Sequence, residues 1–387
     1  RTDVGRYIAS YVPKDAWKGA VAAETFKTDG TTVPAWSGKT TADLLDAASF
    51  NVANRLILSW SDKVIDPTTG QEKGGVSFEW ASDESRLSNT QKLLLDMKDD
   101  GTNDGLGEDR LNFIRGNRTK EGTENPANFT ATTPFRERKS RQGSIINSEV
   151  WYVGAPISNY AFKDYLTFTR SHKNRLPMIY VGGNDGMLHG FSAADGSEKI
   201  AYVPRGTFPA LGRLTDPTYN KHHQYYVDGS PMTGDVDLGS GDPNDPTNWT
   251  ANWQTVLVGT LGAGGKGYFV LNVTNPGTNG GGAGDFTKTN ASTLVVLDTT
   301  RHASESVASV ADCQDPSKTP TTKKDACLAA ADMGHIFAKP VVDETNVQRS
   351  TQIVRLNNNR WAVVMGNGYN SKSERPVLMI QYLDGDK

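Results

Sequence analysis

A short strand–turn–strand unit recurs along this chain, and that recurrence limits the folds open to it. Residues 178–198 read MIYVGGNDGMLHGFSAADGSE. An apolar run, 178–181, ends in Gly-Gly-Asn-Asp-Gly; an alternating run, 187–191, follows and closes on Ala194-Asp195-Gly196. Glycine and Asn/Asp supply the positive φ that tight turns between antiparallel strands require. The unit returns at 256–276 (VLVGTLGAGGKGYFVLNVTNP) and 362–386 (AVVMGNGYNSKSERPVLMIQYLDGD), with half-units WYVGAP at 151–156 and TLVVLD at 293–298. Repeated short antiparallel units predict an all-β repeat architecture, and β-propeller blades fit it best. Strand should exceed a third of the residues and helix stay under a fifth, with Val181, Phe191, Val258, Val270 and Val364 buried between blades.

The early chain adds short helical insertions. Residues 7–11 and 19–26 alternate as a hairpin around 13–17, and 41–54 has helical spacing at Leu44, Leu45, Ala47 and Ala48. Residues 55–60 and 75–80 return to strand. Ser88, followed three residues on by Gln91, forms a capping box ahead of Leu93-Leu94-Leu95. Residues 117–142 are polar and rich in arginine and lysine, and read as a surface loop. The expectation is one domain over 1–387, with helical insertions in 41–110.

Composition narrows the function. A net charge of −3 and a pI near 6.1 give no electrostatic footprint for nucleic acid. No apolar run approaches the ~18 residues of a membrane-spanning helix. The chain begins RTDVGRY with no signal peptide, as expected of a processed chain or a segment of a longer one. Its two cysteines, Cys313 and Cys327, flank a polar excursion within 311–334. A disulfide pinning that loop implies an oxidising compartment; the alternative is two unpaired thiols.

The ordered set LNFIRG (111–116), SIINSEVWYV (144–153), YVGGNDGMLHGFSAADG (180–196), YVDGSP (226–231), WQTVLVGTLGAGGKGYFVLNVTNP (253–276), GHIFAKP (334–340) and WAVVMGNGYNS (361–371) resembles the C-terminal domain of the PilY/PilC family. These are type IV pilus tip adhesins and biogenesis factors of Gram-negative bacteria. The resemblance implies a modified β-propeller of about seven blades, incomplete here, with further blades and a family calcium loop beyond YLDGDK. It also implies display outside the cell, at the pilus tip or outer membrane surface. The implied partners are minor pilins and a host receptor or glycan.

The candidate metal site is acidic. Asp100, Thr102, Asp104 and Glu108 occupy positions 1, 3, 5 and 9 of an EF-hand-like loop, Gly105 position 6, and the Leu106 carbonyl position 7. Such oxygen ligands suit Ca²⁺, although Leu111 stands where the bidentate Glu belongs. The other reading is a solvated acidic loop. Asp235, Asp237 and Asp242 form a second, irregular acidic cluster, and Asp384-Gly385-Asp386 could open another loop. His222 and His223, adjacent on a strand, point apart and make a poor metal pair. His189, in a blade strand, reads as a structural or semi-exposed residue. Residues 262–267 (GAGGKG) lack the spacing of a phosphate loop. No nucleophile–base pair stands out, and the resemblance implies a non-enzymatic adhesin and assembly factor. The alternatives are a quinoprotein-like propeller enzyme and a carbohydrate-binding propeller.

Overall fold

Sheets stacked face to face carry the architecture, and the period-two alternation of their strands explains the stacking. The computed structural model describes residues 5–63, 74–123, 125–277 and 284–384. The first sheet is a meander of β1 (Arg6–Val12), β2 (Lys18–Phe26) and β3 (Thr32–Pro34). The second is six-stranded and comprises β4 (Ile57–Trp60), β5 (Gly75–Ser77), β6 (Trp151–Val153), β7 (Met178–Gly182), β8 (Leu188–Ser192) and β9 (Glu198–Val203). Its order is β5-β4-β9-β8-β7-β6. All its pairings are antiparallel except β4–β9. The third is an antiparallel meander of β10 (Met232–Asp237), β11 (Trp253–Thr260), β12 (Tyr268–Asn272) and β13 (Val295–Asp298). A hairpin of β14 (Val342–Asp343) and β15 (Asn346–Ser350) precedes the fourth sheet, β16 (Ile353–Arg355), β17 (Trp361–Gly366) and β18 (Leu378–Tyr382).

Successive side chains on a strand point to opposite faces, so each inner strand feeds two cores. On β7, Ile179 and Val181 pack toward the first sheet with Val21 and Phe191. Met178 and Tyr180 pack the other way, joining Tyr202, Leu257 and Phe269 between the second and third sheets. On β11 and β12, Val256, Val258 and Val270 turn to a third core shared with Ile353, Val363 and Met365. Fully burying one such side chain contributes about 1.5–3 kcal/mol. This serial packing of short antiparallel sheets is a propeller-blade arrangement, as the repeats predict.

The turns also follow the sequence. Gly186 has φ +99° between β7 and β8, and a Cβ there would lie 2.8 Å from Leu211. Gly196 has φ +76° against the Trp36 ring. Residues 262–267 form the β11–β12 turn, as expected.

Several expectations need correction. Strand falls short of a third of the described residues, because the connections between sheets are long; α-helix stays under a fifth. Val181, Phe191, Val258 and Val270 are buried, but Val364 is only half-buried. It lies opposite Ile380, itself 50% exposed, on the face of the fourth sheet turned away from the core. The strand was placed correctly with the wrong parity, and a one-residue shift exchanges the faces.

Helix α1 covers only Thr41–Leu45. Past it, Asp46 accepts hydrogen bonds from Arg118 and from the Arg141 amide, and Asn51 starts a separate turn by accepting from the Ala53 amide. Helix α2 (Asn89–Asp96) has the expected Ser88–Gln91 capping box. Helix α3 (Gly107–Ile114) begins inside the stretch read as loop.

Residues 117–142 are not solvated as expected. Phe135, Arg136, Arg138 and Gln142 are buried, and the Arg138 guanidinium lies 3.6 Å from the Phe113 ring centroid while pairing with Glu121.

Four short helices follow: α4 (Tyr165–Ser171), α5 (Phe208–Leu211), α6 (Ala291–Leu294) and α7 (Val310–Gln314). The last, α8, spans Lys324–Asp332. Helices α7 and α8 thus occupy the excursion read as loop. Cys313 and Cys327 join them in a disulfide with Cα atoms 5.5 Å apart.

Candidate functional site

The acidic loop sits between α2 and α3, and its carboxylates are already engaged. The Asp100 carboxylate accepts from the Thr102 amide at 2.9 Å and the Thr102 hydroxyl at 2.5 Å, while Lys98 lies 3.1 Å from its other oxygen. Those bonds, the Thr102 hydroxyl first, hold the Asp100 carboxyl at about 2. The Thr102 oxygen is therefore oriented as a donor. Both oxygens of Asp104 meet the Arg110 fork, at 2.7 and 2.6 Å. Partial burial works against the Asp104 charge, but the Arg110 bonds outweigh it and leave the carboxyl below its ordinary value.

Arg110 is fixed in turn. Its guanidinium also donates to the Leu95 and Asp96 carbonyls and to the Thr215 hydroxyl. The Leu106 carbonyl accepts the Arg110 amide at 2.8 Å as the opening bond of α3. Glu108, in the first turn of α3, lines a neighbouring cavity beside Arg115 and Trp80, whereas Asp100 and Asp104 line another with Asp216. Leu106 shares the cavity of Asp100 and Asp104 and Glu108 lines the other, and with Asp104 held by Arg110 and the Thr102 hydroxyl turned to Asp100 the five, as arranged, do not fit that ion. Among the described residues, no group of three or more His, Cys, Asp or Glu is gathered as a metal would need. Arg110 stood within the same stretch of sequence, and counting carboxylates without counting guanidinium groups missed it.

The second acidic cluster is dispersed as well. Asp235 accepts from the Tyr165, Ser158 and Thr255 hydroxyls. Asp237 accepts from the Trp249 indole and the Asn252 amide, and Asp242 from the Asn244 amide. The three have separate partners, and Asp235 ties the 158–165 segment and β11 to β10. Of Asp384-Gly385-Asp386, the last two residues lie outside the described residues.

His189 is structural, as one of the two readings of its place in the repeat suggests, and not semi-exposed. Fully buried, it bridges Glu198 through Nδ1 at 2.8 Å and Asp185 through Nε2 at 3.0 Å. Arg55 closes the chain onto Glu198 at 2.6 Å, and the Gly143 amide donates to Asp185. Burial pushes the imidazole down, but the Asp185 and Glu198 charges prevail and raise it to about 9. A protonated ring, one guanidinium and two carboxylates thus neutralise one another, tying β8, β9 and the 143–146 segment to the start of β4. His223 is opposite in character: it packs on Trp17 at 3.9 Å, bonds Ser144, and is pushed down to about 4 by burial.

A groove of about 980 Å³ runs between the outer edge of β1 and residues 145–150. Tyr11, Ser10, Val150, Asp228 and Phe337 line it. Tyr11 and Phe337 are exposed, at 44% and 50%. Lys339 and Glu149 pair at its rim. No role was expected for these residues from the sequence.

Residues 142–285 match the family model of the PilY1 beta-propeller domain. The type IV pilus biogenesis factor PilY1 of Pseudomonas aeruginosa strain PAK is 32% identical over 390 residues, covering 97% of this chain and 26% of that protein. A PilY1 homolog of Xylella fastidiosa strain Temecula1 is 31% identical over 281 residues, covering 71% of this chain and 17% of that protein. The crystal structure of the P. aeruginosa PilY1 C-terminal domain aligns with a TM-score of 0.36 at 30% identity, over 59% of this chain and 34% of that one. The chain spans about a quarter of the length of the P. aeruginosa relative it matches. With the blade motifs of 144–276 inside the matched region and similarity running over nearly all of its length, this chain belongs to the PilY1 family of type IV pilus biogenesis factors and carries the family's β-propeller domain.

Proposed function

We propose that this domain is a non-enzymatic docking platform of the type IV pilus. It binds minor pilins and presents an adhesive surface to host or abiotic ligands outside the cell, at the pilus tip or outer membrane surface. The observation that carries the reading is the similarity over 97% of the chain to a protein named as a pilus biogenesis factor. The groove along β1 supports it, because the end strand of a sheet beside exposed aromatic side chains suits protein recognition. The Cys313–Cys327 bridge supports an oxidising, extracytoplasmic setting. Calcium has no part in the proposal, because Arg110 holds the Asp104 carboxylate.

A quinoprotein-like enzyme finds less support. The chain's two cysteines are 14 apart and bridge separate helices, so they do not form an adjacent pair. The test is a binding assay of the immobilised domain with purified minor pilins. Saturable binding is expected; no binding to any minor pilin of the same organism would overturn the reading.

A further inference from the structure

A second concave surface lies at the far end of the third sheet, away from the β1 groove. It encloses about 310 Å³, within the range of small-ligand pockets. Phe162, Trp249, Trp253 and Trp361 supply its aromatic walls, with Lys163 and Arg355 beside them. The buried part of the wall is rigid: Trp253 and Trp361 meet edge to face at 5.6 Å, and Phe162 stacks on Trp253 at 6.4 Å. Trp253 and Trp361 are core residues, whereas Phe162 is 39% exposed and Trp249 half-buried.

Trp249 is held in one orientation. Its indole N–H donates to Asp237 at 2.7 Å, and Gly239 lies directly against the ring, where a Cβ would be 2.8 Å away. Lys163 donates to the Pro246 and Trp249 carbonyls, fixing the loop that carries the indole. The charges are unequal. Asp237 is occupied by Trp249, by the Asn252 amide at 2.7 Å and by the Gly239 amide at 3.1 Å. Arg355 lies 4.6 Å from the Phe162 centroid, and its hydrogen bonds are long ones to backbone carbonyls, at 3.4 Å to Asn359 and 3.5 Å to Pro243. No carboxylate among the described residues forms an ion pair with it. A guanidinium beside aromatic rings, with no anionic partner, complements a carboxylate that can take both arms of its fork.

We propose that this pocket binds one pyranose unit of an acidic glycan. The apolar C–H face of the sugar lies on Trp249, whose electron-rich face attracts polarised C–H groups, and the sugar carboxylate pairs with Arg355, which the Phe162 ring positions from its other side. The proposal rests on the adhesive reading above and specifies the ligand class for one part of the surface.

Titration of the domain with sialyllactose, a glucuronate-terminated oligosaccharide and neutral lactose tests it. At least one acidic sugar should bind at least tenfold more tightly than lactose. Phe162→Ala and Trp249→Ala should each weaken that binding at least tenfold, and Arg355→Gln should bring it down to the lactose level. Phe162 is 39% exposed and its removal leaves the buried Trp253–Trp361 pair in place, so Phe162→Ala should fold, as its melting curve shows; this keeps the test valid if Trp249→Ala disturbs the loop. No binding to either acidic sugar, binding indifferent to Phe162→Ala and Arg355→Gln, or binding of a proline-rich peptide in place of the sugars would overturn the proposal. Minor-pilin binding, measured on the same proteins, separates the two readings. Pilin binding without sugar binding removes this inference alone, and sugar binding without pilin binding removes the pilin-docking reading.

Discussion

Tyr202 of β9 and Phe269 of β12 meet with ring centroids 4.8 Å apart, across the boundary between the second and third sheets. The Tyr202 hydroxyl also donates to Asp298 of β13 at 2.6 Å. One side chain thus joins two blades by packing and by a buried hydrogen bond. Phe269→Ala should cost about 3–5 kcal/mol, since it opens a cavity in a fully buried core. Tyr202→Phe should cost about 1–3 kcal/mol, since it leaves Asp298 short of one donor. Urea unfolding of the variants gives both values. A cost under ~1 kcal/mol for Phe269→Ala would mean that the two sheets do not depend on each other.

The buried His189 cluster sets a pH dependence with a definite sign. The imidazole is raised from its ordinary 6.5 to about 9, so its contribution is complete below pH 6.5 and is lost as pH climbs through 9. Glu198 is lowered from 4.5 to about 2, so its contribution is complete above pH 4.5 and lost as pH falls through 2. Stability should therefore hold between roughly pH 5 and 6.5 and decline toward pH 10. His189→Gln should cost about 3–5 kcal/mol at pH 6, because it leaves two buried carboxylates against one guanidinium, and should flatten the alkaline decline. An unchanged alkaline slope in that variant would assign the decline to other groups.

Cys313→Ser combined with Cys327→Ser should lower stability by about 3 kcal/mol if α7 and α8 unfold together with the sheets. Mass spectrometry of unreduced peptides should recover the pair as one linked species. Two free thiols in protein purified without reductant from its native host would contradict the bridge.

Calorimetry with Ca²⁺ addresses the 99–110 loop. A cation would have to displace Arg110 from Asp104, so no heat of binding is expected at this loop up to millimolar Ca²⁺. Binding that disappears in Asp104→Ala would show that the loop rearranges into the ligand set its spacing suggests.

Legibility followed the range of the interactions. The blade strands could be read because alternation and Gly-Asn-Asp turns are local signals, as was the Ser88–Gln91 cap. Parity was weaker: Val363 and Val364 are both apolar, and only the neighbouring sheet decides which faces inward. Arg136 and Arg138 looked solvated because burying a charge requires distant partners such as Glu121 and the Phe113 ring. The Asp104–Arg110 fork changed a ligand-like pattern into a structural clamp. The aromatic pocket draws Phe162, Trp249 and Trp361 from three separate stretches, so no window of sequence contains it.

The docking account is tested most directly by counting surface pili. A strain lacking its own copy of the gene is complemented with the full-length protein, either native or with Tyr11→Asp and Phe337→Asp in the β1 groove. Both side chains are exposed, so the altered domain should melt like the native one, while two new carboxylates should repel an apolar partner from the groove. The account predicts restored piliation with the native protein and at least a tenfold loss with the groove variant at equal expression. Full piliation with the groove variant would contradict it.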